Sequence, residues 1–264
     1  MKELLTRALS GLVLMAVIIG AIMYSKESFY LVFYVIMMLC LYEFKKLIDL
    51  RYNWVYLVAT LIYLRFANLI VIDSSYMHFF LIISLFTPFV YQLFKPKVSL
   101  TSSKLGHFFL AIAYVVMPFV FLTKIPFING EYHAKIIIGI FILIWTSDTF
   151  AYIVGSTIGR TKLYEKISPN KTIEGAFGGL VAALVASYIL ARYIPVLTTL
   201  SWLIIGLIVV VFGILGDLIE SKFKREAQVK DSSNFIPGHG GFLDRLDSLI
   251  FAVPFVYVYL HLTY

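Results

Sequence analysis

Residues 217–247 read D-L-I-E-S-K-F-K-R-E-A-Q-V-K-D-S-S-N-F-I-P-G-H-G-G-F-L-D-R-L-D. An apolar run, 197–218, leads into this stretch, and another, 249–262, follows it. Between them lie the acids Asp217, Glu220, Glu226, Asp231, Asp244 and Asp247 and the bases Lys222, Lys224, Arg225, Lys230 and Arg245. Two apolar helices joined by a charged hairpin describe a polar site at a membrane surface. The rest of the chain reads as the frame that holds it.

Composition points the same way. Of 264 residues, 61% are hydrophobic and 14% charged, where a soluble domain carries roughly 25% charged residues. One soluble core of this size cannot hide so much apolar surface, but lipid can cover it. The net charge of +7 sits in short segments between apolar runs. It suits anionic headgroups or phosphate substrates better than nucleic acid. The single cysteine, Cys40, excludes an internal disulfide and a cysteine-based zinc site. It reads as a packing residue.

Working outward, apolar runs long enough to span recur. They predict an all-α polytopic membrane protein with about nine helices, near 7–24, 28–48, 53–72, 76–94, 104–123, 134–156, 173–194, 197–224 and 246–262. The first is expected to be a retained transmembrane helix rather than a cleaved signal. With a cytoplasmic N-terminus, one side holds Lys2, Arg7, Lys45, Lys46, Arg51, Lys95, Lys97, Lys104, Arg160, Lys162, Lys166, Lys171 and the five bases of the hairpin. That is 17 of the 22 basic residues, as the positive-inside rule expects. Nine helices then put the C-terminus outside. Residues 1–133 are apolar helices with plain basic loops. Residues 134–264 hold the intramembrane acids and the polar loops 157–172 and 222–245, so the chemistry is expected there.

Four pieces carry candidate chemistry. First, Asp244 and Asp247 lie three residues apart at the start of the last helix, on one face. Such a pair can share a hard cation that keeps positions open for phosphate, although acids at a helix N-terminus are also favoured by its dipole alone. The turn before them, with Pro237, Gly238, Gly240 and Gly241, offers backbone N–H groups to an anion. It contains His239, a phosphate or proton partner or else a turn residue. Second, Asp217, Glu220, Ser221 and Lys224 share one polar helix face. Asp217 stands at the membrane boundary, where an ionisable group is costly unless paired or functional. A solvated helix end is a fair reading for Glu220 and Lys222. Gly213 and Gly216 would let another helix come close. Third, Asp148 lies inside the apolar run 134–156, flanked by Thr146, Ser147 and Thr149; a substrate or cation ligand is favoured over packing. Fourth, in the loop 160–175, Ser168 before Pro169 reads as a helix start, which would turn Lys166 and Lys171 toward the hairpin. The spacing of a P-loop is absent. Acids for a cation, bases and glycines for phosphates, and a lipid boundary together suit phosphoryl or nucleotidyl transfer to a lipid phosphate.

The run from Ser221 to Asp247 resembles the signature of phosphatidate cytidylyltransferases, S-x-F-K-R-x4-K-D-x-S-x2-I-P-x-H-G-G-F-x-D-R-L-D, in register throughout. The loop S-P-N-K-T-I-E-G, 168–175, is similar to the family's S-P-x-K-T-x-E-G, with Asn170 where Lys or Gly is commoner. S-D-T-F-A-Y, 147–152, resembles the family's intramembrane Asp segment. The resemblance covers roughly 140–264. It implies transfer of the cytidylyl group of CTP to phosphatidate, giving CDP-diacylglycerol and pyrophosphate for phospholipid synthesis. It implies Mg2+ or Mn2+ on Asp217, Asp244 and Asp247, with room for a second cation. Lys166, Lys171, Lys224, Lys230 and Arg245 become candidates for the triphosphate or lipid phosphate, and Asp231 and His239 site residues of open role. Asp148, Ser168, Glu174, Ser221, Arg225, Gly240 and Gly241 become substrate-binding candidates. Location in a bacterial cytoplasmic membrane, with the site facing the cytoplasm, follows, and a homodimer is compatible. Among rivals, a CDP-alcohol phosphotransferase would need D-G-x2-A-R, which does not occur. A polyprenol kinase-like enzyme should lack the signature. An ion-coupled transporter using Asp148 and Asp217 leaves the P-G-H-G-G turn unexplained.

Overall fold

A computed structural model describes residues 2–67, 86–91, 93, 104–238 and 240–264 of the chain. Helices dominate it. α1 is Lys2–Tyr24, α2 Lys26–Leu47 and α3 Trp54–Ala67. α4 begins at Lys104–Ala111, widens into a π-helical turn over Ile112–Val116 and continues through Met117–Leu122. α5 is Ala134–Ile158, α6 Ile173–Tyr193, α7 Thr199–Glu226 and α8 Leu243–Thr263. Two short antiparallel hairpins join them, β1 (Phe127–Ile128) with β2 (Glu131–Tyr132), and β3 (Lys162–Tyr164) with β4 (Ser168–Thr172). The fourth expected helix, 76–94, falls mostly outside the described residues, though 86–91 is helical. Every other expected helix has its counterpart.

Six of these helices are long and apolar enough to cross a membrane: α2, α4, α5, α6, α7 and α8. The apolar segments Leu9–Tyr24 and Trp54–Phe66 are shorter. The chain is an all-α membrane protein. Its outer faces carry large exposed apolar side chains, such as Val181, Val185 and Ile189 along α6. Lipid is the solvent such a surface requires.

Local chemistry sets the helix starts. Ser25 and Ser28 form a reciprocal capping box at α2, and Thr198 caps α7 by accepting from the Ser201 amide at 3.1 Å. The expected helix start at Ser168-Pro169 is corrected: residues 168–172 form β4, and the helix begins at Ile173. The proline has a fixed φ and no amide to donate, and an edge strand tolerates both. The cap belongs instead to Thr172, whose hydroxyl accepts from the Gly175 amide at 3.1 Å.

Small residues bring the second half together. α5 packs on α6, α6 on α7 and α7 on α8. A Cβ on Gly179 would sit 2.7 Å from the Ser147 carbonyl of α5. A Cβ on Gly216 would sit 2.5 Å from the Asp247 carbonyl and 2.6 Å from Phe251 Cβ in α8. Gly213 and Gly216 therefore do what their position suggested, and they bring the acids of α7 and α8 face to face. The first half closes over this layer. Phe44 of α2 meets Phe223 of α7 edge-on at 5.1 Å and Tyr114 of α4 at 4.8 Å. Cys40 is fully buried among these apolar neighbours.

Candidate active site

The close approach at Gly216 puts three carboxylates in one place. One oxygen each from Asp217 and Glu220 of α7 and Asp247 of α8 lie within 4.8 Å of one another. Lys171, from the end of β4, donates to Asp217 Oδ2, and Ser221 Oγ donates to Asp217 Oδ1 at 3.2 Å. Glu220 is 0% exposed, and Lys224 is the one polar partner it shows among the described residues. Its nearest counter-charge is the ammonium of Lys224, one turn on. Desolvated carboxylates this close need positive charge or donors in their midst. At Glu220, Lys224 supplies one.

Lys224 links this cluster to the glycine turn. Its ammonium also donates to Asp244 Oδ1 at 2.6 Å. The other oxygen, Asp244 Oδ2, accepts from the Ser232 amide at 2.9 Å and the Gly241 amide at 2.8 Å, and it shares with Glu43 the one proton of the Ser232 hydroxyl, 2.8 Å away. Asp244 thus holds the turn and Lys224 in place. Asp244 and Asp247 do leave one side of α8, but they face different partners. The acid that completes the cluster with Asp217 and Asp247 is Glu220, not Asp244. The reading of Glu220 as a solvated helix end is corrected as well. The Gly213–Gly216 stripe continues along α7 through Asp217 and Glu220 to Lys224, so the face that α8 covers carries those residues into the interior.

The remaining candidates spread around this centre. Asp148, exposed on α5, lies within electrostatic reach of Lys171, Asp217 and Arg245. Glu174 is occupied elsewhere: it accepts from the amides of Arg160 and Thr161 at 3.1 Å each and from the Thr161 hydroxyl at 2.9 Å, fastening the entry to the β3–β4 hairpin. Ser168 is half-buried in β4 and Lys166 is exposed in the hairpin bend. Arg225 reaches the Val229 carbonyl at 3.3 Å, and Lys230, Asp231 and Arg245 are exposed at the mouth of the turn. Gly240, at φ +83°, lies where a Cβ would come within 2.8 Å of Asp244 Oδ2. Gly241 has Glu43 and Ser232 directly against it. His239 lies outside the described residues.

Glu43, in the first half, is the residue that sequence reasoning missed. It is 0% exposed and accepts from two amides and the Ser233 hydroxyl of the turn, and it shares the Ser232 hydroxyl proton with Asp244. An acid inside the apolar part of a helix was the available signal.

A sequence profile of the cytidylyltransferase family matches residues 5–263, and the chain belongs to that family. Its relatives include proteins named phosphatidate cytidylyltransferase. That of Bacillus subtilis strain 168 is 44% identical over 168 residues, covering 63% of this chain and 62% of the relative. That of Haemophilus influenzae is 43% identical over 155 residues, 52% of this chain and 54% of the relative. That of Staphylococcus saprophyticus is 42% identical over 153 residues, 57% of each. The aligned stretch thus spans little more than half the length of these relatives.

Proposed function

We propose that this protein transfers the cytidylyl group of CTP to phosphatidate, giving CDP-diacylglycerol and pyrophosphate. The observation that carries the reading is the Asp217–Glu220–Asp247 cluster, flanked by Lys171 and Lys224, where membrane-length helices meet in a chain of this family. A phosphate oxygen of phosphatidate attacks the α-phosphorus of CTP. A new P–O–P bond forms as the bond from that phosphorus to the oxygen bridging to the β-phosphate breaks. Pyrophosphate departs with the electron pair. The reaction needs no side-chain nucleophile, only positioning and charge neutralisation.

The three acids suit a hard divalent cation, Mg2+ or Mn2+. They offer oxygen ligands from two helices within 4.8 Å of one another, and Glu220 is fully buried with Lys224 as its counter-charge. We assign Asp217, Glu220 and Asp247 as the ligands, and Asp244 as the partner of Lys224. When bound, such a cation neutralises charge on phosphate oxygens. Lys171 holds Asp217 in place, and Lys224, held by Asp244, presents its charge beside the acids. Lys166, Lys230 and Arg245 stand outside this pair, where the triphosphate and the lipid phosphate would arrive. The clustering of basic residues in the loops supports a cytoplasmic position for this face, in a reading with nine spans, an internal N-terminus and an external C-terminus. Residues 134–264 carry the reacting groups.

The test is pyrophosphate release by purified protein in detergent, with CTP and phosphatidate added singly and together across a Mg2+ series. Release is expected only with both substrates and the metal. Turnover with a polyprenol or a CDP-alcohol in place of phosphatidate, and none with phosphatidate, would overturn the reading.

A further inference from the structure

We propose that Glu43, from the first half of the chain, is a positioning residue for the active site. It caps α8 from outside that helix and fixes the 232–243 turn beneath the substrate phosphates. The proposal rests on the cytidylyl-transfer reading only for what the turn binds.

The first amides of a helix have no partner within it. α8 lacks the usual remedy, since its N-cap residue is Phe242 and no side chain at that position bonds back. Glu43 supplies the missing acceptor from a position some 200 residues away in sequence. Its Oε1 accepts from the Phe242 amide at 3.0 Å, and its Oε2 from the Leu243 amide at 2.8 Å. A carboxylate at a helix N-terminus also meets the positive end of the helix dipole. Each oxygen has one further contact. Oε1 accepts from the Ser233 hydroxyl at 2.6 Å, and Oε2 lies 2.9 Å from the Ser232 hydroxyl, whose proton it shares with Asp244.

Ser232 then joins Glu43 to the site. Its oxygen is 2.9 Å from Glu43 Oε2 and 2.8 Å from Asp244 Oδ2, and its amide donates to the same Asp244 oxygen. Asp244 in turn holds Lys224. A continuous polar chain therefore runs Glu43, Ser232, Asp244, Lys224, ending beside Glu220. Two further contacts tie the turn to the first half. The Phe235 ring lies 5.6 Å from Tyr42, the neighbour of Glu43 on α2, and Ser10 of α1 donates to the Pro237 carbonyl at 3.1 Å. Gly241 is explained by the same contact, because a side chain there would collide with the Glu43 carboxylate.

Glutamine at position 43 separates positioning from mere packing. It keeps the size of the side chain but turns one oxygen into an NH2 group. That group would face a backbone N–H, which cannot turn round to accept as a hydroxyl can. Partners that orient catalytic groups cost roughly 10–100-fold in affinity or activity when lost. For Glu43→Gln we expect a folded protein whose KM for CTP rises about tenfold or more, with a smaller fall in kcat. Ser233→Ala, which removes one of its donors, should move KM in the same direction by less. Glu27→Gln, exposed at the other end of α2, should change nothing. Hydrogen exchange followed by mass spectrometry gives a readout that needs no substrate. Amides of the 232–243 peptide should exchange faster in Glu43→Gln and in Ser233→Ala than in wild type. Unchanged exchange in both variants would overturn the anchoring. Faster exchange with wild-type KM would reduce Glu43 to a structural residue and overturn the positioning role. If the wild-type protein itself does not turn over CTP, the functional reading fails instead, and the exchange result still decides the anchoring.

Discussion

Lys224 offers the sharpest test of how the site is held together. Its side chain is 12% exposed, between Glu220 at 0% and Asp244 at 4%. Replacing it with methionine keeps most of the volume but leaves two buried carboxylates without their shared cation. Removing one member of a buried ion pair costs about 3–5 kcal/mol, because the charge left behind is uncompensated. Asp244 keeps its amide donors from Ser232 and Gly241, so most of that cost falls on Glu220, whose one ion-pair partner among the described residues is Lys224. For a chain of this length the loss amounts to on the order of 10 °C in the melting temperature. The assay is thermal unfolding in detergent with chelator present, for Lys224→Met, Glu220→Gln and the double variant. In the double variant the orphaned charge on Glu220 is gone, so it should recover a large part of the loss, a coupling that a double-mutant cycle isolates. Added Mg2+ should raise the melting temperature of Lys224→Met more than that of wild type, since a cation in the acid cluster compensates the same charge. If Lys224→Met melts with the wild type, or if the two single losses simply add, Glu220 is not held by Lys224 and the electrostatic account of the cluster is wrong.

Two further outcomes follow from the same geometry. Gly216→Val drives side-chain atoms into the Asp247 carbonyl and Phe251 Cβ, both parts of a packed helix that cannot swing aside. It should abolish extraction of folded protein, as read by size-exclusion chromatography; a monodisperse, active Gly216→Val would mean that α7 and α8 do not meet there. A tag after residue 264 should be reached from outside the cell and one within 160–170 only from the cytoplasm, as labelling of intact and permeabilised cells would read; finding both on one side would change the number of spans by an odd count.

How much of this was legible depends on the range of the interaction. The helices were readable because burial in lipid demands long apolar runs, and the chain writes each one contiguously. The hairpin was readable for the opposite reason: charge and glycine packed between two such runs have few structural uses. The exchange of Asp244 for Glu220 in the acid cluster was not read, though its signal existed. A spacing of three residues says that Asp244 and Asp247 leave one side of a helix, but not which partner each one meets. That was decided by the register in which α8 crosses Gly216, and the glycines that set it stand on the same stripe of α7 as Glu220. The strand at 168–172 was missed because proline is as much at home in an edge strand as in a first helical turn, and the true cap, Thr172, lay four residues further on. Glu43 is the hardest case. Its partners are about 190–200 residues away, so no local pattern could name them. What the sequence did carry was an acid within an apolar helix and a last helix with no capping residue of its own. Each is a defect by itself. Buried away from water, a missing acceptor and a surplus carboxylate are both costly, and the fold settles the two together by placing one against the other.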